Sequence, residues 1–425
     1  MKILILSNTA WNINNSFGNS FSNIFKGFNN IEIANIYCRY GIPNNKIVND
    51  HFQITEKSLI KNLINKSYSP GKVIKKIEKV DDLNDSEEKI FNFTRTKRLQ
   101  IFFWIRDIIW KIGRWKSPEL RNFIDEFNPD IIFQPLYYSN YLNDIVLFIK
   151  KYTDVPMVCY VSDDVYTLKQ FSLSPLFWID RLIKRKKIRK VINKCEHIYT
   201  ISEIQKQEYE KIFNKKCKIL TKGKKFSESK FKNKFEFPLK MVYTGNVGNG
   251  RWKSLESIGK QIKKINRDET KIQLYIYSLT PMTKKMKNAM NIENSSYFMG
   301  GISPEKVNEV QKNADILVHV EPTDFKGKLR VRHSFSTKII DYFESCRPIF
   351  AVGTSDMASI NHLIKNNSAI VAENEDEIYT SLKNIIDDRS LLNEYAKNAW
   401  ECGKKYHQID KIQEQLYEDL LLLTN

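Results

Sequence analysis

The sequence predicts an α/β protein built from two doubly wound, Rossmann-like domains. Short apolar runs, typical of buried parallel strands, alternate with amphipathic helical segments through most of the chain. This alternation is lost between residues 221 and 238, where Lys, Ser and Asn dominate. We therefore predict a first domain over residues 1–220, a linker over 221–238 and a second domain over 239–407.

Composition narrows the class of protein. The 425 residues suffice for two or three domains with sizeable cores, and the apolar content of 42% indicates a folded chain. Six dispersed cysteines without a CxxC pair predict a reduced, cytosolic protein without a zinc site. Residues 1–6 are too short for a signal peptide, and the sequence has no apolar run of about 18 residues that could span a membrane.

The formal net charge of +19 indicates an anionic partner. Nucleic acid, an anionic membrane surface and a phosphorylated substrate are the three candidates. Abundant Lys, Asn, Ile and Phe can also reflect an AT-rich genome, which would add lysines without a binding role. Composition alone does not choose among these explanations.

In the first domain the apolar runs predict six strands and an early helix. The helix is expected over residues 19–28, after a polar turn that contains Gly18. The strands are expected over residues 2–7, 31–38, 130–133, 156–161, 197–200 and 218–220. Because no G-x-G-x-x-G fingerprint is present, we expect no dinucleotide cofactor.

A charged insertion over residues 43–118 interrupts this pattern and is longer than an ordinary connection. Within it, residues 101–115 predict a helix. Five large apolar residues recur there at helical spacing: Ile101, Ile105, Ile108, Ile112 and Trp115. Phe103 and Trp110 point instead to the side that carries Arg106, Asp107 and Arg114. Large rings among cations suit a bilayer interface or a lipid-linked acceptor, and a core helix whose rings lie under a loop is the equal alternative.

Residues 181–194 predict a helix with eight cations and no acid. Ile188, Val191, Ile192 and Cys195 share one face, which we expect to pack inward. The opposite, basic face is either simply solvated or contacts anionic phospholipid. Nucleic acid ranks last because no nucleic-acid-binding module accompanies the helix, so we predict no nucleic-acid partner.

Asp163 and Asp164 follow the predicted strand over residues 156–161. Residues at the carboxyl ends of parallel strands face ligands in α/β proteins. The two carboxylates could therefore bind sugar hydroxyls, orient an acceptor, or cap the next helix.

The second domain begins with a predicted strand over residues 239–244 and a glycine-rich turn over 245–250. Such a turn lets backbone approach a diphosphate, for which Arg251 and Lys253 supply positive charge. A further strand ends at Glu321, which either faces the cleft or merely ends that strand.

Residues 331–353 form the segment of this domain that carries most of the candidate site residues. We predict that it folds as a loop, a helix and a buried strand. Ser334 or Ser336 can cap the helix. Backbone N–H groups at Ser336 and Thr337, together with Lys338, suit a phosphate, and Asp341 one turn later can accept hydrogen bonds from a ribose. The alternative is a capped helix with a solvated lysine.

These segments resemble the nucleotide-sugar motifs of retaining family-4 (group 1) glycosyltransferases, which have the GT-B fold. The run from 341 to 348 stands at that family's Glu-Ala-Met-Ala-x-Gly-x-Pro segment, which places Asp341 at the ribose-binding Glu. His333 occupies the position of the family's other Glu. The Gly245 turn is similar to a Gly-Arg-(several)-Lys-Gly segment, in which Asn246 replaces the Arg and Arg251 takes the position of the Lys.

The resemblance implies two Rossmann-like domains that face each other across a cleft, with a terminal helix over 408–425 packing back on the first domain. It implies catalysis by Arg251, Lys253 and Lys338 without a metal. Asp163 and Asp164 join these candidates through their place at a strand end, from which they could contact the sugar. It implies donor binding by the following residues: Gly245, Asn246, Gly248, Met299, Gly300, Glu321, His333, Ser336, Thr337 and Asp341.

The implied function is transfer of a sugar from a nucleotide diphosphate-sugar, with UDP favoured, to a carbohydrate, glycoprotein or lipid-linked acceptor. We expect a retaining hexosyl- or N-acetylhexosaminyltransferase of bacterial surface glycan biosynthesis. It would be cytoplasmic, with peripheral contact at the inner face of the plasma membrane left open. The alternatives are a nucleotide-sugar 2-epimerase on the same fold and a basic RNA- or membrane-binding protein with an inactive cleft.

Overall fold

The computed structural model describes residues 1–28, 30–74 and 100–424. Its first sheet has eight strands in the order β4-β3-β2-β1-β5-β6-β7-β8. Every neighbouring pair in this sheet is parallel except β3 and β4. The strands are β1 Lys2–Ser7, β2 Glu32–Tyr37, β3 Asp50–Ile54, β4 Gly71–Ile74, β5 Ile131–Pro135, β6 Met157–Val161, β7 Ile198–Thr200 and β8 Cys217–Ile219.

The second sheet has six parallel strands in the order β11-β10-β9-β12-β13-β14. They are β9 Leu239–Thr244, β10 Ile272–Tyr277, β11 Ser296–Gly300, β12 Ile316–Val320, β13 Ile349–Val352 and β14 Ile370–Ala372. Two parallel α/β domains are thus present, as the alternation of apolar runs and helices predicts.

Helices cover both faces of the first sheet. They are α1 Ser16–Phe25, α2 Glu56–Ile64, α3 Gln100–Ile112, α4 Pro118–Phe127, α5 Asn140–Thr153, α6 Pro175–Asn193 and α7 Glu203–Phe213. Because side chains alternate along a strand, Leu4 and Leu6 of β1 pack under α2–α7, whereas Ile3 and Ile5 pack against α1. Helix α1 begins three residues before the predicted start because Asn15 accepts a hydrogen bond from the N–H of Gly18.

The helices of the second half of the chain are α8 Arg251–Ile265, α9 Lys284–Met290, α10 Pro304–Lys312, α11 Phe325–Val331, α12 Lys338–Glu344, α13 Ala358–Lys365, α14 Glu375–Asp387, α15 Ser390–Tyr406 and α16 Ile409–Thr424. Helix α16 returns to the first sheet, where Leu416 and Leu420 join the cluster that contains Ile3 and Ile5. The N–H of Ile409 donates to the carbonyl of Lys224, so the two chain segments that link the domains lie side by side.

Helix α3 buries Trp110 and exposes three isoleucines. The indole of Trp110 is 1% exposed, stacks on Tyr141 at 4.5 Å and donates to Glu56. Ile105, Ile108 and Ile112 are 48–58% exposed, and the side chain of Ile101 lies outside the described residues. Trp110 is therefore tucked inward, because its ring buries more apolar area than an isoleucine and its N–H finds a carboxylate. Phe103, the other ring in the prediction, is half-buried.

Helix α6 buries Ile188, Val191 and Ile192, as the periodicity predicts. Cys195 is also buried, and it forms a disulfide with Cys159 of β6. The prediction that all six cysteines are reduced is therefore wrong for this pair, while the other four are buried free thiols. No helix in the described part of the chain is both long and apolar enough to cross a bilayer.

Candidate functional site

The candidate site lies where the second sheet reverses its winding. Strands β9 and β12 are parallel neighbours, with β10 on the far side of β9 and β13 on the far side of β12. The chain therefore leaves β9 and β12 toward opposite sides, which opens a crevice at their carboxyl ends. The turn over residues 245–250 and the segment over 321–337 both begin at this edge.

Lys338, the first residue of α12, reaches back to the end of β9. Its Nζ lies 3.0 Å from the carbonyl oxygen of Thr244 and 5.0 Å from the ring centroid of Tyr243. Gly245 has φ +150°, and a Cβ at this position would stand 1.7 Å from the Lys338 Nζ. The positive φ favours glycine here, and a side chain at this position would also displace the Lys338 ammonium.

Arg251, the first residue of α8, is held by a buried carboxylate. Its Nε and Nη2 donate to Oε2 of Glu321 at 3.0 and 2.7 Å. The Glu321 side chain is 1% exposed, and the Ser359 hydroxyl donates to its other oxygen at 3.3 Å. The same carboxylate lies 3.6 Å from Nε2 of buried His319. These contacts fix the guanidinium at the end of β12.

The charges of Arg251, Glu321 and Lys338 lie close enough to interact. Burial and, after it, the positive charge of Arg251 lower the pKa of Lys338 to about 8, against the opposing effect of the Glu321 carboxylate. Burial raises the pKa of Glu321 above its usual value, although Arg251 and Lys338 both act to lower it. Two cations and one carboxylate leave an excess of one positive charge, which suits an anionic ligand such as a diphosphate.

Other predicted donor-site residues lie farther out. Lys253 is 53% exposed and sits 3.8 Å from Asp324, so it does not join Arg251 and Lys338. The Asn246 side chain accepts from the N–H of Gly248 at 2.6 Å and shapes the turn. Met299 and Gly300 end β11, an edge strand separated from β9 by β10.

The segment before α12 crosses to the first domain. The Ser334 hydroxyl donates to Asp163 at 2.7 Å, and Nε2 of His333 lies 2.6 Å from Glu208 of α7. Arg332 forms an ion pair with the same Glu208. Both domains therefore fix the loop that leads into Lys338.

Glu208 is the first-domain anchor of this loop. Its carboxylate also accepts from Lys169 at 3.0 Å. Burial acts to raise the pKa of Glu208, but the hydrogen bonds from His333, Arg332 and Lys169 hold it well below its usual range. The carboxylate is therefore ionised across the ordinary pH range.

Asp164 differs from its neighbour Asp163. Its side chain is 2% exposed, and it accepts from the N–H of Thr167 at 2.8 Å and from Arg181 at 3.2 Å. Burial acts to raise its pKa, but the Thr167 hydrogen bonds and nearby positive charge hold it below the usual value. Asp164 thus orders the loop after β6, whereas Asp163 is exposed at its surface.

The start of α12 departs from the predicted capping. Thr337 precedes the helix in helical conformation and makes no side-chain cap, and neither Ser334 nor Ser336 caps it. Asp341 lies 3.1 Å from Lys224 of the linker, which also approaches Glu344. A ribose at Asp341 would therefore share that carboxylate with Lys224.

Sequence reasoning missed Glu208, Lys169, Arg332 and His319. Arg332 directly precedes His333, and His319 lies two positions before Glu321. Their closeness in sequence to these predicted site residues could have identified them as candidates. Glu208 stands in an amphipathic helix and contacts His333 across 125 positions of sequence. No local pattern predicts such a contact.

Comparison with solved structures identifies the architecture as GT-B. HepE from Anabaena, in complex with UDP, matches with a TM-score of 0.64 and 10% identity over 99% of both chains. Sucrose-phosphate synthase from Thermosynechococcus elongatus matches with a TM-score of 0.60 and 11% identity over 99% of both chains. TarM matches with a TM-score of 0.62 and 11% identity over 100% of this chain and 98% of its own. No family model matches the sequence, and no curated protein sequence is similar to it.

Proposed function

We propose that this protein is a glycosyltransferase that moves a sugar from a nucleotide diphosphate-sugar, with a UDP-sugar favoured, to an acceptor hydroxyl. The observation that carries the proposal is the placement of Arg251 and Lys338 around Glu321 at the switch point of the second sheet. HepE, whose fold this chain shares, was solved with UDP, and this supports the choice of base.

In this proposal the diphosphate lies against the Gly245 turn, within reach of Arg251 and Lys338. The ribose lies toward Asp341 and the base toward Met299 and Gly300. The sugar then points across the cleft. There the loop that carries His333 meets Asp163.

The reaction breaks the bond between the anomeric carbon and the diphosphate oxygen, and the diphosphate leaves with the electron pair. The acceptor oxygen forms the new bond to the anomeric carbon, and its proton passes to the departing diphosphate oxygen. Negative charge grows on the diphosphate as the bond breaks, so fixed cations stabilise the transition state more than the bound donor. Glu321 contributes by positioning Arg251.

The finer assignments are part of the same proposal. We infer a retaining, metal-independent hexosyl- or N-acetylhexosaminyltransferase that uses no cofactor. Its acceptor would be a carbohydrate, glycoprotein or lipid-linked molecule of bacterial surface glycan biosynthesis. The enzyme would work in the cytoplasm, at the inner face of the plasma membrane.

A thermal-shift screen against UDP-, GDP- and ADP-sugars, followed by hydrolysis assays on each hit, tests the proposal. A donor at about 100 times its Kd should stabilise the protein by about 2.7 kcal/mol. We expect UDP and a UDP-sugar to raise the melting temperature and the sugar to be released slowly to water. If no nucleotide shifts melting, or if the sugar nucleotide is only epimerised, the transferase proposal fails.

The pH dependence of donor turnover should report the titration of the Lys338 side chain. Its pKa is about 8, below the ordinary value for lysine. The side chain is therefore charged below pH 8 and loses its proton as the pH rises through that value. We expect kcat/KM for the donor, which reflects the free enzyme, to fall above about pH 8. The fall in kcat should come at higher pH because bound diphosphate favours the charged lysine.

The Lys338→Arg variant is the control for this profile, since a guanidinium stays charged throughout the range. Whatever activity it retains should show no alkaline fall near pH 8. A wild-type kcat/KM that stays level up to pH 10 would contradict the assignment of Lys338 to the diphosphate.

A further inference from the structure

Three helices on one face of the first domain expose apolar side chains that no described part of the chain covers. Helix α2 exposes Ile60 and Ile64 at 41% and 83%, and α3 exposes three isoleucines at 48–58%. Helix α6 exposes Leu176, Ile179, Leu182 and Ile183 at 48–56%. On each helix these positions recur at helical spacing, so each forms an outward stripe.

The three stripes belong to one surface. All three helices pack on the same face of the first sheet, through Leu59, Trp110 and Ile188. The Trp110 indole links α3 to Glu56 of α2 at 3.1 Å. The Trp104 indole links α3 to Asp180 of α6 at 3.2 Å. We call this surface, formed by the outward sides of α2, α3 and α6, the three-helix face.

The exposed charge that the three helices themselves carry is positive. Each helix has a single acidic residue, and each of these carboxylates is engaged by the protein. Glu56 accepts from Trp110, Asp107 from Asn140 at 2.7 Å, and Asp180 from Lys184 at 2.8 Å. The exposed charged side chains on the three helices are cations, among them Lys61, Lys111, Lys186 and Lys190.

We propose that the three-helix face docks on an anionic lipid bilayer. Isoleucine and leucine side chains would enter the boundary between headgroups and acyl chains, and lysines beside them would remain with the lipid phosphates. The proposal deepens the location given under the proposed function, but vesicle binding requires no sugar nucleotide. The two can therefore fail separately.

Charge complementarity favours a bilayer over the other occupants. A two-fold contact with a second copy of the chain would bring cations against cations, with no exposed acid on these helices to pair with them. A single-stranded nucleic acid would need aromatic rings for stacking, and the outward stripes consist of Ile and Leu.

Co-sedimentation of the full chain with vesicles tests the proposal. We expect binding to phosphatidylcholine vesicles that contain phosphatidylglycerol, weaker binding at high salt, and little binding to phosphatidylcholine alone. The variant Ile108→Ser/Ile112→Ser/Ile179→Ser/Ile183→Ser should lower the partition coefficient at least about 100-fold. Lys186→Gln/Lys190→Gln should lower it about 30-fold.

The matched control is Ile364→Ser/Leu422→Ser, which removes two apolar side chains that are 42% and 77% exposed on α13 and α16. This control should bind vesicles like wild type, and all three variants should keep the wild-type melting temperature. The proposal is overturned if wild type stays in the supernatant with anionic vesicles at low salt. It is also overturned if the serine variant binds vesicles like wild type. A further contrary result would be light scattering that shows an oligomeric wild type and a monomeric serine variant, because the face would then hold copies of the chain together.

Discussion

Replacing Lys338 with alanine is expected to lower kcat about 100- to 1,000-fold while the protein remains folded. Loss of one fixed cation from developing negative charge raises the barrier by about 2.7–4 kcal/mol. The Lys338 Nζ contacts the Thr244 carbonyl and the Tyr243 ring, and it forms no ion pair within 4.0 Å in the described part of the chain. Its removal therefore leaves no buried carboxylate without an ion-pair partner. Steady-state kinetics on the donor found by the screen would measure the effect.

Lys253→Ala is the matched control, because this lysine lies in the first turn of α8, directly after the glycine-rich turn that Lys338 approaches. Lys253 is half exposed, and its Nζ lies 3.8 Å from Asp324. We expect less than about tenfold loss in kcat, since an exposed cation is well screened by water. Near-normal turnover in Lys338→Ala, or an equal loss in both variants, would remove the reason for placing the diphosphate at Lys338.

The contacts between Glu208 and the loop before α12 link the first domain to the proposed donor site. Arg332 and His333 belong to the second domain, yet both meet this one carboxylate of α7. The loop then continues directly into Lys338. A change in the angle between the domains would therefore move Lys338, the cation that we propose binds the diphosphate.

The apolar runs predict the central strands of this fold well because those strands are buried on both faces, whereas β3 and β4, which lie in the insertion over 43–118, are not predicted. The strand predicted to end at Glu321 becomes β12, and the buried strand predicted within 331–353 becomes β13. The glycine-rich turn is also predictable from the sequence, because its first residue, Gly245, has a positive φ that favours glycine. These patterns depend on residues that are close together in sequence, so a single sequence is enough to show them.

Other features of the site are set by tertiary contacts that a sequence does not display. The sequence does not reveal that β12 lies beside β9, which brings Lys338 to the Gly245 turn. Glu321 stands at the end of a strand, where alternation no longer decides which way a side chain points. Its pairing with Arg251 depends on how α8 packs against β12, and that is a property of the folded domain.

Replacing Arg251 is expected to reduce both activity and stability, unlike replacement of Lys338. Arg251→Met should lower kcat about 100- to 1,000-fold through loss of the same kind of charge contact. It also leaves the Glu321 carboxylate buried without its principal partner. Removal of one member of a buried pair costs about 3 kcal/mol of unfolding free energy. Urea denaturation and donor kinetics measure the two losses.

The double variant Arg251→Met/Glu321→Gln separates the two roles of this pair. Neutral side chains on both sides leave no stranded charge, so most of the unfolding free energy should return. Activity should not return, because the cation is still missing. Glu321→Gln alone should lose about tenfold in kcat, since the guanidinium remains but is held less firmly. Recovery of turnover in the double variant would show that Arg251 serves the fold and not the diphosphate.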